Sequence, residues 1–131
     1  MRKQTPSVSE MEILDILCRL GTATVQDIRK ALPKHRKLAH TTIITNLQRL
    51  EDKGLVAHEK SERGKAFVFS PTRPMEKVKR HLVSDFLNDY FGNDPIPLVS
   101  SLIQTKQITK KELEQLREIL DAAEKNSNGG P

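Results

Sequence analysis

The side chains best equipped for chemistry in this chain share one helical face between Ala39 and Leu50. At 100° per residue, Thr41, Thr42, Thr45, Gln48 and Arg49 fall on one side. Ile43, Ile44, Leu47 and Leu50 make an apolar stripe roughly opposite. With His40 at its start, the polar side offers short hydroxyls, an imidazole, an amide and a guanidinium. Such groups hydrogen-bond base edges and phosphates without the bulk that would keep a helix out of a major groove. Gly54 can supply the left-handed residue that ends the helix, and a β-rich stretch begins at Val56. A polar face on an isolated helix is a solvated surface, so the surrounding elements must decide what this one does.

No other constellation suggests chemistry. His35, His40, His58 and His81 fall on different elements without metal-ligand spacing. No glycine-rich phosphate loop follows a strand, and no Ser or Cys sits in a nucleophile motif. Carboxylates alternate with Lys and Arg as on solvated helices. The expectation is no catalytic residue, no metal site and no cofactor: the chain is not an enzyme. Cys18, within Ile13-Leu14-Asp15-Ile16-Leu17-Cys18, is expected to be a buried, inert thiol.

The elements that position the polar face can be read from their boundaries. Ser9 with Glu12 predicts a capping box opening a first helix, with Met11, Ile13, Leu14, Leu17 and Leu20 mostly on one side and Gly21 at its end. Thr24 with Asp27 opens a short second helix that Pro33 terminates. The basic loop Pro33-Lys34-His35-Arg36-Lys37 then leads to the Thr-rich helix, completing a helix-turn-helix. Residues 56–60 and 66–70 predict two short strands joined through Ser61-Glu62-Arg63-Gly64-Lys65. Three helices and a hairpin make a winged helix, mainly α, with Lys60, Arg63 and Lys65 arming the wing.

Pro71 and Pro74 bracket a stiff connector. A fourth helix is expected from about Met75 to Phe91, a short one around residues 98–103, and a last one capped by Thr109 and Glu112. This divides the chain into a DNA-binding unit over 1–72, a helical unit over 73–125 and a disordered tail over 126–131. About 50 residues of amphipathic helix bury too little surface to fold alone. Their stripes, including Phe86, Leu87, Tyr90, Leu98, Leu102, Leu116 and Ile119, must therefore meet a second copy or the winged helix. Symmetric dimers being the commonest oligomers, a homodimer is the simplest outcome.

Length and composition bound the rest. The 131 residues contain no Trp, 4% aromatics and 36% hydrophobic residues, which argues against a deep enclosed substrate pocket. No apolar run approaches the ~18 residues of a membrane span, and residues 1–6 do not read as a signal peptide. One cysteine cannot form an internal disulfide, in keeping with a cytoplasmic location. The net charge of +5 lies wholly in residues 1–72, with 13 Lys/Arg against 8 Asp/Glu. Residues 73–131 balance at 9 against 9. A basic half joined to a neutral half is the pattern of a nucleic-acid reader and its partner module.

Ser7-Val8-Ser9-Glu10-Met11-Glu12-Ile13-Leu14, residues 21–28, 39–55 and 67–71, Leu98-Val99-Ser100-Ser101-Leu102 and Lys111-Glu112-Leu113-Glu114-Gln115-Leu116 together resemble the bacterial penicillinase-repressor family, the BlaI/MecI/CopY-type regulators. The resemblance spans roughly residues 6 to 122 in matching order and spacing. It implies a homodimeric transcriptional repressor that binds palindromic operators and dimerises through its C-terminal helices. It also implies that Thr41, Thr42, Thr45 and Arg49 face the DNA, the face the helical wheel selects on its own. Two departures stand out. Copper-responsive members carry a C-terminal cysteine metal motif, whereas no cysteine follows Cys18 here. β-Lactam-responsive members are cut at an Asn–Phe bond by a membrane sensor protease. The aligned bond here is Ser101–Leu102, which puts that partner and that route of induction in doubt.

Two other functions compete. A winged helix used as a protein–protein adaptor, without sequence-specific DNA binding, would show an apolar or acidic face where this chain has Thr, Gln and Arg. Non-specific packaging of nucleic acid would want far more charge than +5.

Overall fold

In the computed structural model, which describes residues 5–62, 64 and 66–128, helix starts follow their side-chain caps. The order is α1 (Val8–Leu20), α2 (Val25–Ala31), a 3-10 turn (Lys34–Arg36), α3 (His40–Asp52), β1 (Val56–Lys60), β2 (Phe67–Pro71), α4 (Met75–Phe91), α5 (Pro95–Thr105) and α6 (Lys110–Asn128). Thr24 Oγ1 accepts from Asp27 N at 3.1 Å, and the Asp27 carboxylate accepts from Thr24 N at 3.0 Å, the expected box.

The first cap differs from expectation. Ser7, not Ser9, is the N-cap, exchanging 3.2 Å bonds with Glu10 rather than Glu12. Both registers satisfy the capping pattern. The one adopted buries Glu10 where Lys53 of α3 reaches it, and leaves Ser9 to accept from Asn46 Nδ2 at 3.1 Å. The buried stripe of α1 is Ile13, Leu14, Ile16 and Leu17; Leu20, expected to join it, is largely exposed.

Gly54 ends α3 as its sequence position suggests. At φ 78° it lets its own N–H donate to Glu51 O (2.9 Å) and that of Leu55 donate to Leu50 O (3.0 Å), the Schellman pattern. Strands β1 and β2 pair antiparallel, Val56 opposite Pro71 and Lys60 opposite Phe67, so β2 starts one residue later than expected. Ala23 pairs with β2 on its other side as an isolated antiparallel bridge, through two bonds with Phe69 of 3.0 and 2.8 Å. Around this sheet pack Ile13, Leu14, Leu17, Ile28, Ile43, Leu47 and Leu50, all fully buried. Ile44 is half-buried at the rim. The arrangement is a winged helix.

The core does not stop at the connector. Val78 of α4 is buried in it, and Met75 packs against it. Thr72 fastens the connector by donating from Oγ1 to Gly54 O (2.7 Å) and from N to Leu55 O (3.0 Å). Beyond Val78 no described residue is buried. Asp94 caps α5 with Pro95 at its first turn, so Pro95 opens that helix as well as closing the break before it. This makes α5 longer than the sequence suggests. Thr109 and Glu112 cap α6 as expected. Asn126, Ser127 and Asn128, expected in a disordered tail, continue α6, and residues 129–131 lie outside the described residues.

Candidate nucleic-acid interface

All six side chains singled out on α3 (His40, Thr41, Thr42, Thr45, Gln48 and Arg49) are exposed together. Thr45 donates its hydroxyl proton to Thr41 O at 2.9 Å. Its oxygen lone pairs remain to accept, which suits the exocyclic amino group of a base. Among the described residues no ion pair engages Arg49. Thr41, Thr42, Thr45 and Arg49 border a shallow hollow of about 330 Å³ together with Ser7 and Ser9, so the start of α1 flanks the face.

What holds this face in position is a set of polar contacts absent from the sequence reading. Glu10, 3% exposed, accepts from Lys53 Nζ at 2.5 Å while its carboxylate also caps Ser7. Lys53 donates further to Thr5 O at 3.2 Å. Asn46, 5% exposed, donates to Ser9 from the edge of the reading face, where both line the hollow beside Thr42, Thr45 and Arg49. These ties fasten α3 to the start of α1 at two points about two helical turns apart along α3. The signal for Asn46 was present: it lies among Ile43, Leu47 and Leu50 on the apolar stripe, where a polar side chain needs a partner.

The hairpin flanks the reading helix. Lys60 is exposed, as expected; Arg63 and Lys65 lie outside the described residues. His58 joins the hairpin to the end of α3, with Nδ1 2.6 Å from Glu51 Oε1 and its ring edge-on to Phe67 at 5.2 Å. A second cationic rim precedes α3: Arg29, Lys30, Lys34 and Lys37 are exposed, with Lys37 Nζ donating to Arg29 O at 3.0 Å. Only a basic loop was legible there in the sequence. Arg36 is spent on Glu12, 3.1 Å away.

The C-terminal residues form a separate surface. Phe86 and Tyr90 lie ring against ring on α4, 5.0 Å apart and tilted by 45°, and both are exposed. Leu102, Leu116 and Ile119 converge on one apolar groove of about 510 Å³ between α5 and α6. Leu87 and Leu98 are half-buried and lie outside that groove. Ser101 and Leu102 are exposed, but within α5, where Ser101 O accepts from Thr105 Oγ1 at 2.6 Å. Cys18 is half-buried rather than buried, and burial followed by the nearby Asp15 pushes its thiol pKa above the usual value, which disfavours the reactive thiolate.

A helix-turn-helix with a hairpin wing and an exposed face of hydroxyls, amide and guanidinium defines a winged-helix transcription regulator. The chain belongs to the penicillinase repressor family, whose model matches residues 6–122. It is similar to the penicillinase repressor of Staphylococcus aureus, 26% identical over 88% of this chain and 90% of the relative. It is also similar to that of Bacillus licheniformis, 27% identical over 91% and 93%. Among solved structures, the YusO protein from Bacillus subtilis shares the fold at a TM-score of 0.56 and 15% identity, covering 94% of this chain and 77% of that one. The chain is thus a DNA-binding transcriptional regulator rather than an enzyme. No helix among the described residues is long and apolar enough to cross a membrane, and no described group of three His, Cys, Asp or Glu could hold a metal ion.

Proposed function

We propose that this chain is a homodimeric repressor in which each winged helix (1–72) reads one half of a palindromic operator and the helical unit (73–125) joins the two copies. One observation carries the dimer. From α4 to α6, Phe86, Tyr90, Leu102 and Ile119 are 44, 73, 52 and 63% exposed, with Ile96 at 71% and Leu120 at 66%. So many large apolar side chains left exposed on three consecutive helices mark an interaction site, and α4–α6 carry no core of their own to cover them.

On the DNA, Thr41, Thr42, Thr45 and Gln48 read base edges, while His40 and Arg49 bind a base or a phosphate at the ends of the face. Lys60, Arg63 and Lys65 of the wing bind the phosphodiester backbone, which fixes orientation without reading sequence. The adaptor alternative loses ground, because the exposed face of α3 carries no apolar anchor. Two tethered winged helices gain affinity from the high effective concentration of the second once the first is bound.

Release follows from anything that separates the C-terminal arms. A membrane sensor protease acting at Ser101–Leu102 would first have to unwind α5, since that bond sits inside a regular helix. A gel shift tests the reading: DNA from the chain's own upstream region should be retarded in the presence of excess random competitor. Equal competition by random DNA would refute sequence-specific repression.

A further inference from the structure

One sizeable cavity lies neither on the reading face nor between the C-terminal helices. It measures about 630 Å³ and opens at the joint of winged helix and α4, lined by Pro6, Leu55, residues 72–74 and, on α4, Lys77, Val78, Arg80 and His81. Its floor is apolar, with Leu55 and Val78 buried beneath it. Its walls are cationic: Arg73, Lys77, Arg80 and His81 all line it, and no carboxylate does. Asp85, which accepts from Thr5 and lies 3.6 Å from His81 Nε2, is not part of the lining, and Glu76 lines a neighbouring hollow instead. The sequence makes the same point by number. Counted to His81 the chain carries 17 Lys/Arg against 9 Asp/Glu, and from Leu82 onward 5 against 8. The positive charge therefore continues past the connector, through the first two turns of α4, and then reverses.

We infer that this cleft is a binding site for a small, multiply charged anion, a polycarboxylate or a phosphorylated metabolite. Three observations favour a small molecule over the DNA backbone. The volume lies in the range of ligand pockets. The floor of Leu55 and Val78 is apolar and concave, whereas phosphodiester contacts need cations on an accessible ridge. The lining also draws together three separate segments, the chain before α1, the residue before β1, and the connector with the start of α4, so that an occupant bridges the reading unit and the arm.

The consequence for regulation rests on the dimeric repressor reading. A bound anion bridges the winged helix and α4 and fixes the angle at which α4 leaves the winged helix. Operator affinity should therefore fall, by about fivefold to tenfold, the lower part of the range for coupled sites.

The test uses the full chain at constant ionic strength set with chloride, with citrate and pyrophosphate as separate probes, followed by calorimetry and by amide shifts. At least one probe should saturate one site per chain and shift the amides of Thr72 to His81. Its affinity should drop at least tenfold in the triple variant Arg73→Gln, Lys77→Gln, Arg80→Gln and persist in Lys110→Gln, Lys111→Gln. Arg80→Gln alone, an exposed position, should already weaken it severalfold, which keeps the test sound if the triple variant folds poorly. Saturation by only one probe identifies the anion class. Saturation by neither, or binding unchanged in both variants, overturns the proposal. So does a triple variant that, without any probe, loses operator affinity with a shallower salt dependence, since the cleft would then be a backbone contact. Probe binding is measured without DNA, so a failure of operator binding in the untreated chain would count against the repressor reading alone.

Discussion

Replacing Glu10 with Ala should destabilise the winged helix far more than a surface charge deletion. Glu10 has a side chain only 4% exposed, 2.5 Å from the ammonium of Lys53, itself 20% exposed. Removing one partner of a buried pair costs about 3–5 kcal/mol because the other is left uncompensated. Lys53 keeps Thr5 O and some access to water, which brings that cost down to about 2–3 kcal/mol, and the lost cap on Ser7 adds roughly 0.5–1 kcal/mol. A total near 3 kcal/mol is a large share of the ~5–15 kcal/mol that holds a domain together. Lys53→Met should cost about 3–4 kcal/mol, since it strands the more deeply buried carboxylate. The double variant strands neither charge, so its loss should fall short of the sum by about 2 kcal/mol, a coupling well outside the ~0.5 kcal/mol scatter of independent sites. Urea unfolding of the four proteins, followed by far-ultraviolet dichroism, measures the cycle. Additive losses would refute the view that this ion pair fastens α3 to α1.

Three further outcomes follow from the same geometry. Arg49→Ala should cost about 1–3 kcal/mol of operator binding, and Thr45→Ala should narrow the gap between operator and random DNA, both read by gel shift; parental affinity in both would remove α3 from the interface. Arg63→Ala with Lys65→Ala should weaken all DNA alike and flatten the slope of log affinity against log salt by about one to two units per subunit, whereas an unchanged slope would exclude the wing. A chain ending after Leu82, which retains Val78 and the Thr72 ties, should stay folded but sediment as a monomer and bind a half-site weakly; a dimeric truncation would contradict the role given to α4–α6.

Most of the element order was legible because it is written locally. Thr24 and Asp27, Gly54, and Thr109 with Glu112 each set a boundary through their own backbone bonds, and the structure keeps all three. The reading face was legible for a similar reason: Thr41, Thr45 and Arg49 are placed by helical period alone. What escaped depends on distant partners. Ser7-Glu10 and Ser9-Glu12 are equivalent as local caps, and only distant partners, Lys53 for Glu10 and Asn46 for Ser9, distinguish them. Val78 belongs to the winged-helix core through tertiary packing, so a boundary drawn after residue 72 places part of that core's cover in the helical unit. The exposed stripes of α4–α6 were legible as stripes, but a single sequence does not say which surface covers them.

Selecting binding sites from a random DNA pool with the full chain, then footprinting the winners, tests the central claim most directly. Two protected half-sites related by a two-fold axis are expected, their centres about one helical turn or a multiple of it apart. A single protected half-site, or a pool that never converges on a sequence, would contradict a dimer that reads DNA through α3.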